Sequence, residues 1–390
     1  MPTGESNDTR HALSRRKYLT TAGLVLGAGC SQRTTTDQTT TTTAGPTESQ
    51  PRMTGAASQP KQQDTFGPRP SNPQELWRID EPATIIGTTD TAVFLSLTDR
   101  DEPMVARVAA FDGTVEWETT VPGMLEKGVA MGERLFAASG ETQTIYSLTQ
   151  ESGEVEWEVG IEGQPPVIGA TDEIVVVGSG ADEYGAGESL RGVKPATGEE
   201  VFDSLWPIDP QSIRVKGEVV LSREERALRA YDLENGRKLW KNGLIHGPGA
   251  FARSYVAFPE TGGIIKAFDP ATGEELWANK RGWPTQNETT TTAAGPEAFA
   301  FNARVHEGRD YLYVFDATSG TKRWMNEHRA IHDVQIRGGT CVVAHDMLDI
   351  YDIESGQRRA RLELPMEKPE LFLTKHHLFI GSDPVVAYRV

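Results

Sequence analysis

Cysteine is nearly absent: the 390 residues hold two, Cys30 and Cys341. Their contexts differ too much for a pair, and neither stands in a Cys/His spacing that binds metal, which excludes a structural zinc site. Cys341 lies in the apolar run Cys341-Val342-Val343-Ala344 and reads as part of a buried strand. Long hydrophobic runs are also missing. With a mean hydropathy of −0.45 and no apolar stretch near the ~18 residues a spanning helix needs, an integral membrane bundle is excluded. Positive charge is scarce too: 39 Lys and Arg oppose 56 Asp and Glu, a formal −17. Such a surface repels phosphate backbones and argues against nucleic-acid binding. Only 12 of the basic residues are Lys, and an acidic, Lys-poor surface suits a halophilic archaeon. No long amphipathic helix is legible after residue 75.

What is present begins with an address. Ser14-Arg15-Arg16-Lys17-Tyr18-Leu19-Thr20 resembles a twin-arginine export signal, with Arg15 and Arg16 as the pair. A short apolar stretch from Ala22 to Gly29 follows, too short to span a bilayer. Gly27-Ala28-Gly29-Cys30 resembles a lipobox, in which Cys30 receives a lipid; Leu26 stands one place early for that pattern. The plain alternative is an ordinary signal peptide with a fortuitous cysteine. Residues 1–29 are therefore expected to be a lipoprotein signal peptide. Residues 30–74, rich in Thr, Ser, Gln and Pro, are expected to form a disordered tether, because they offer too little apolar surface to fold.

The remaining residues, 75–390, are organised by a repeat. The clearest copy is Ala267-Phe268-Asp269-Pro270-Ala271-Thr272-Gly273-Glu274-Glu275-Leu276-Trp277. Near copies end at Trp240 and Trp324, and weaker ones end at Trp157, Phe202 and Ala360. A shortened copy ends at Trp117, and Glu75-Leu76-Trp77 is a tail without a head. These anchors recur about every 40 residues, the mark of stacked repeats. Strand-like runs such as Ile174-Val175-Val176-Val177 lie between turn signals and argue all-β. Asp and Thr/Ser flank a tight turn, Gly supplies its positive φ, and Trp falls on the next strand, where it packs between repeats. Six tryptophans take this structural place: Trp77, Trp117, Trp157, Trp240, Trp277 and Trp324. Val386-Ala387-Tyr388 is a head without a tail, so the N-terminal strand is expected to complete the last unit. The prediction is an eight-bladed β-propeller of four-stranded antiparallel blades, closed by that strand.

The pattern A-[FY]-D-x-x-[ST]-G-x-x-x-W resembles the tryptophan-docking repeat of the quinoprotein (PQQ-like) propeller superfamily over about residues 75 to 390. The resemblance implies one of two branches. One comprises dehydrogenases that hold pyrroloquinoline quinone and Ca²⁺ near the ring axis. The other comprises noncatalytic propellers such as the lipoprotein of the outer-membrane assembly machinery. The adjacent cysteines that alcohol dehydrogenases often carry are absent, and no calcium-binding Glu, Asn and Asp can be matched. The acidic run Asp182 to Glu188 reads as a solvated loop.

Four histidines are candidates for a channel site. His328 and His332 precede the inferred inner strand Asp333-Val334-Gln335-Ile336, and His376 and His377 occupy the corresponding region of the next blade. The competing reading has them satisfying turns and strand ends. Asn287-Glu288-Thr289 is an N-glycosylation sequon in an inserted loop. The expectation is a noncatalytic scaffold, without cofactor, exported and anchored to the outer face of the cytoplasmic membrane through Cys30. It would be monomeric and bind a protein or surface polymer. A quinone-dependent dehydrogenase of alcohols or sugars, or a carbohydrate-active enzyme, is the alternative.

Overall fold

The computed structural model describes residues 73–390 except 162–163, 181–188, 205–213, 217, 225–226, 244–248, 253, 261–263, 280–290, 306–308, 365–368 and 382. Arg15, Arg16, Cys30, the Thr-rich tether up to residue 72, the acidic run 182–188 and Asn287 lie outside the described residues. The chain divides into a unit over residues 1–63 and a unit over residues 64–390, and the second holds every described residue.

That unit is a β-propeller of eight four-stranded antiparallel sheets. Seven blades are consecutive meanders over residues 83–120, 127–160, 164–204, 214–243, 250–279, 292–329 and 333–363. The eighth takes its three inner strands from 370–389 and its outer strand from Gln74–Ile79. The expected closure by the N-terminal strand is present. No helix occurs among the described residues, and accordingly none there is long and apolar enough to cross a membrane.

The strands are two-sided. In Ala92–Leu97 every residue is buried, because second strands have a neighbouring blade on both faces and so read as continuous apolar runs. Outer strands such as Val115–Thr120 show the pattern eeieie, with e exposed and i half-buried. The core is not one body. It consists of eight apolar clusters, each drawn from two adjacent blades. Cys341 is wholly buried in the wedge between blades 6 and 7, as a strand residue, and burial pushes its thiol well above the usual range.

The repeat tryptophans lock these wedges. Each indole N–H donates to a backbone carbonyl in the turn of the following blade. Trp77 bonds Ala110 and Trp117 bonds Gln150, each at 2.9 Å. Trp157 bonds Pro195 at 2.9 Å, Trp240 bonds Pro270 at 3.1 Å, and Trp277 bonds Ala317 at 3.0 Å. Trp324 bonds Ile353 at 2.9 Å. The ring lies on the motif glycine of that turn; a Cβ on Gly356 would meet Trp324 Cγ at 2.6 Å. The motif glycines hold φ between 65° and 73°. Glycine is therefore required twice there, by backbone conformation and by the approach of the indole. The turn is held from inside by the motif aspartate: Asp269 Oδ1 accepts the Ala271 and Thr272 N–H groups, each at 2.8 Å.

Each blade carries a bulge where its third strand meets its outer strand, for example between Ala267 and Phe268 opposite Glu275 and Trp277. The added residue re-aims the outer strand, which turns the tryptophan toward the next blade. The same offset appears across the chain break, with Tyr388 opposite Glu75 and Ala387 opposite Trp77. An unplanned contact reinforces three docks: Asn242 donates to Gly273 at 2.9 Å, Asn279 to Gly320 at 2.6 Å and Asn326 to Gly356 at 3.4 Å.

The anchor position of blade 7 is Ala360, and the closure explains it. A tryptophan there would face the turn between the third and outer strands of blade 8. No such turn exists, because that is where the two ends of the sheet-forming chain meet. This seam is filled instead by Leu371, Leu378, Ile380, Val386 and Tyr388 against Val342, Leu348 and Ile350.

The dock is testable by contrasting two glycines of blade 7. Gly356 and Gly339 both hold positive φ, at 68° and 78°, but a Cβ on Gly339 meets nothing within 4 Å. Gly339→Ala should cost roughly 1 kcal/mol of backbone strain. Gly356→Ala should cost about 1–3 kcal/mol more, because the Trp324 indole must move. Urea midpoints measure both; equal losses would show that the indole does not depend on this contact.

Candidate functional site

Two concave regions follow from the ring. The first opens where the inner strands Asp333–Arg337 of blade 7 and Glu370–Leu373 of blade 8 approach the axis. It is a cavity of about 770 Å³ lined by residues that include Thr88, Thr291, Arg304, His332, Asp333, Gln335 and Glu370. Asp333 ties the two blades together: it accepts the Leu371 N–H at 2.9 Å and its neighbour Val334 N–H at 2.7 Å. Burial pushes its carboxyl up to about 6, against the lowering effect of those hydrogen bonds. Arg304 is 3.6 Å from the buried Asp310. Ion pairs also cross this sector between non-adjacent blades, Lys127 to Glu370 at 3.6 Å and Arg337 to Asp90 at 3.5 Å.

The second is a groove of about 980 Å³ across blades 3, 4 and 5, on the face that bears the motif turns. Its lining includes the apolar Val201, Leu239, Pro270 and Ala271 and the charged Glu173, Glu218, Asp232, Glu234 and Asp269 with Lys194. Val201 and Leu239 are 38% and 40% exposed. Both immediately precede a docking aromatic, Phe202 and Trp240. Strand alternation places them on the opposite side from that aromatic, hence outward. The same position holds exposed Leu276.

The structure distributes the four candidate histidines over three places. His332 lines the axial cavity, and its N–H donates to Ala344 at 2.8 Å. His376 and His377 lie at the hairpin between the first two strands of blade 8, with ring centroids 6.4 Å apart. Burial first, then the neighbouring His376, lowers the His377 imidazole to about 4. His328 is not on an inner strand. It sits near the end of the outer strand Lys322–Arg329 of blade 6, buried in the seam with blade 7. Its ring stands 4.8 Å, centroid to centroid, from His345. Burial, then His345, lowers its imidazole to about 4, while Asp349 opposes the shift. His328 thus meets none of the other three candidates. Its partners, His345 and Asp349, were not singled out in the sequence, although Asp349 is a charged residue between Leu348 and Ile350 in a strand of buried neighbours.

With this geometry in view, the comparisons with known proteins place the chain. A family model described as "Outer membrane protein assembly factor BamB" matches residues 70–248 and 260–365. The chain belongs to that family. No curated protein matches it. Among solved structures, BamB from Moraxella catarrhalis is 14% identical with a TM-score of 0.59, covering 82% of this chain and 98% of its own. The computationally designed Ika8 protein is 15% identical with a TM-score of 0.63, covering 81% and 98%. A quinohemoprotein alcohol dehydrogenase from Pseudomonas putida is 10% identical with a TM-score of 0.57, covering 81% and 76%. At these identities the likeness is one of fold.

That last neighbour makes the quinone question concrete. Pyrroloquinoline quinone is a tricarboxylate and is held with Ca²⁺, so its cradle needs cationic side chains and several free oxygen ligands. Among the described residues the axial cavity offers two carboxylates, Asp333 and Glu370, against one guanidinium, Arg304, which already faces Asp310. Both oxygens of Asp333 are engaged by backbone N–H groups and Gln335. This donor set does not fit the quinone. Titration of the purified chain with pyrroloquinoline quinone plus Ca²⁺, followed by tryptophan fluorescence, should therefore be flat. Saturable one-site quenching would reverse that conclusion.

Proposed function

We propose that this protein is a noncatalytic docking scaffold, exported and held at the outer face of the cytoplasmic membrane by a lipid on Cys30. Membership of the BamB family supports a protein partner in general. The observation that carries the reading is the groove over blades 3 to 5. Exposed Val201 and Leu239 share its lining with Glu173, Glu218, Asp232, Glu234 and Asp269. Apolar surface with a polar border marks an interaction site, and its carboxylates favour a partner segment that carries Lys or Arg beside an aliphatic or aromatic anchor. A rigid ring suits such a role, because the groove walls come from three blades locked by Trp157, Phe202 and Trp240 and change little on binding.

Two measurements test this reading. The double variant Val201→Glu, Leu239→Glu replaces exposed side chains and should leave the thermal midpoint within about 1 °C. It should also abolish crosslinking of the protein to its partner on intact cells. An unchanged crosslinking pattern would move the docking face elsewhere on the ring. For the anchor, Cys30→Ala should shift the protein from the membrane fraction to the medium; persistent membrane association would refute lipidation at that residue.

A further inference from the structure

Between blades 6 and 7, five polar groups converge on one buried carboxylate oxygen. Asp349 lies on Met347–Asp352, the third strand of blade 7, and its side chain is fully buried. Around its Oδ2 stand His345 Nε2 at 3.0 Å, Tyr351 OH at 3.0 Å and Arg361 Nη2 at 2.7 Å. Arg358 follows at 3.7 Å and His328 Nδ1 at 3.9 Å. The other oxygen, Oδ1, receives Arg361 Nε at 2.7 Å. A carboxylate oxygen has about two acceptor sites, so three close donors on Oδ2 are one too many. A cation seated between His345 Nε2 and Oδ2 takes the place of the Nε2 proton, with Nε2 presenting its lone pair to the cation and the imidazole proton carried on Nδ1. That tautomer change gives up both the 3.0 Å hydrogen bond from Nε2 to Asp349 Oδ2 and the 3.4 Å contact from the Met347 backbone N–H to His345 Nδ1, and a bound cation must offset both.

We propose that His328, His345 and Asp349 form a site for a divalent cation of the Zn²⁺ type that staples blade 6 to blade 7. One ligand atom from each residue can be chosen so that all three lie within 4.8 Å of one another. Zn–N and Zn–O bonds of about 2.0–2.2 Å separate tetrahedral ligands by about 3.3–3.5 Å, so the widest pair must close by up to about 1.5 Å while the 3.0 Å pair of His345 and Asp349 opens slightly. Two imidazoles and one carboxylate are ligands that zinc accepts. The Arg361 fork and the Tyr351 hydroxyl supply the outer hydrogen bonds that orient a ligating carboxylate. Tyr351, 3.5 Å from His328 Nε2, stands beside the fourth position.

The local sequence departs from the other blades in the way such a site requires. At the place of Asp349, blades 3, 4 and 5 carry Arg191, Arg229 and Lys266. Blade 7 reverses that charge and pairs it with Arg361 across the sheet. His328 stands four residues after Trp324, the place that Val121 and Ile161 hold after Trp117 and Trp157, so a polar ligand replaces an aliphatic residue at a position buried in the seam.

The full untagged chain, stripped with a chelator, is titrated with Zn²⁺ alone and separately with Co²⁺ alone. One Co²⁺ per chain should bind and give the visible bands of a tetrahedral complex, and Zn²⁺ at about 100 times its Kd should raise the thermal midpoint by about 5 °C. His328→Gln and His345→Gln should each lose both effects. Absence of bands and of a midpoint shift in the unaltered chain would overturn the proposal, as would equal binding by both variants. Should either variant fail to fold, the Co²⁺ spectrum of the unaltered chain decides. None of these readouts involves the groove, so the two proposals fail independently.

Discussion

Every seam that can be locked by a repeat aromatic is locked in one way: a ring from one blade lies on the motif glycine of the next. In six of the seven such seams that ring is an indole whose N–H also bonds a carbonyl of the same turn; Phe202 on Gly236 is the seventh. The contact combines apolar burial, a satisfied buried donor and a backbone geometry that only glycine adopts easily. Because a blade is one thin sheet, it has no interior of its own, and its apolar faces are covered only when neighbours stand at the right angle. The indole dock sets that angle. Seven of the eight two-blade clusters lie at seams docked in this way.

Ring closure is the second constraint, and it accounts for the exceptions. The last sheet is assembled from both ends of the propeller sequence, so the seam between blades 7 and 8 lacks a covalent turn for an indole to cover. Ala360 occupies the anchor position there, and aliphatic residues with Tyr388 fill the wedge. The first dock survives the break because Trp77 enters with the bulge register of the other blades. Asp90 adds to the closure by accepting the Lys375 N–H at 3.0 Å and pairing with Arg337.

Both proposed sites lie where the repeat is broken or left uncovered. The groove exists because outer strands have no sheet beyond them and expose Val201 and Leu239, which directly precede the docking aromatics. The buried Asp349 cluster exists because blade 7 places an acid where blades 3, 4 and 5 place a base, and blade 6 places His328 where blades 1 and 2 place Val121 and Ile161. Neither feature belongs to the motif that specifies the ring. A degenerate repeat leaves such positions free to differ without loss of the fold, and this separation explains how one architecture is shared with proteins only 10–15% identical.

The blade count, the closing strand and the structural role of the six tryptophans were legible in the sequence, because they rest on local chemistry. A turn needs Asp and Gly, and a strand face needs an aromatic at a fixed distance after them. The ruler through positions 77 to 360 counts the blades even where Phe202 and Ala360 replace tryptophan. The site was not legible in the same way. His328 and His332 are four residues apart, yet one enters a seam and the other the axial cavity, because the outer strand ends between them. His328 meets His345 and Asp349, and Val201 and Leu239 come to line one groove, only when adjacent blades are set side by side. Sequence determines what each blade is; the angle and offset between blades decide which of its side chains meet, and that is a property of packing across the seams.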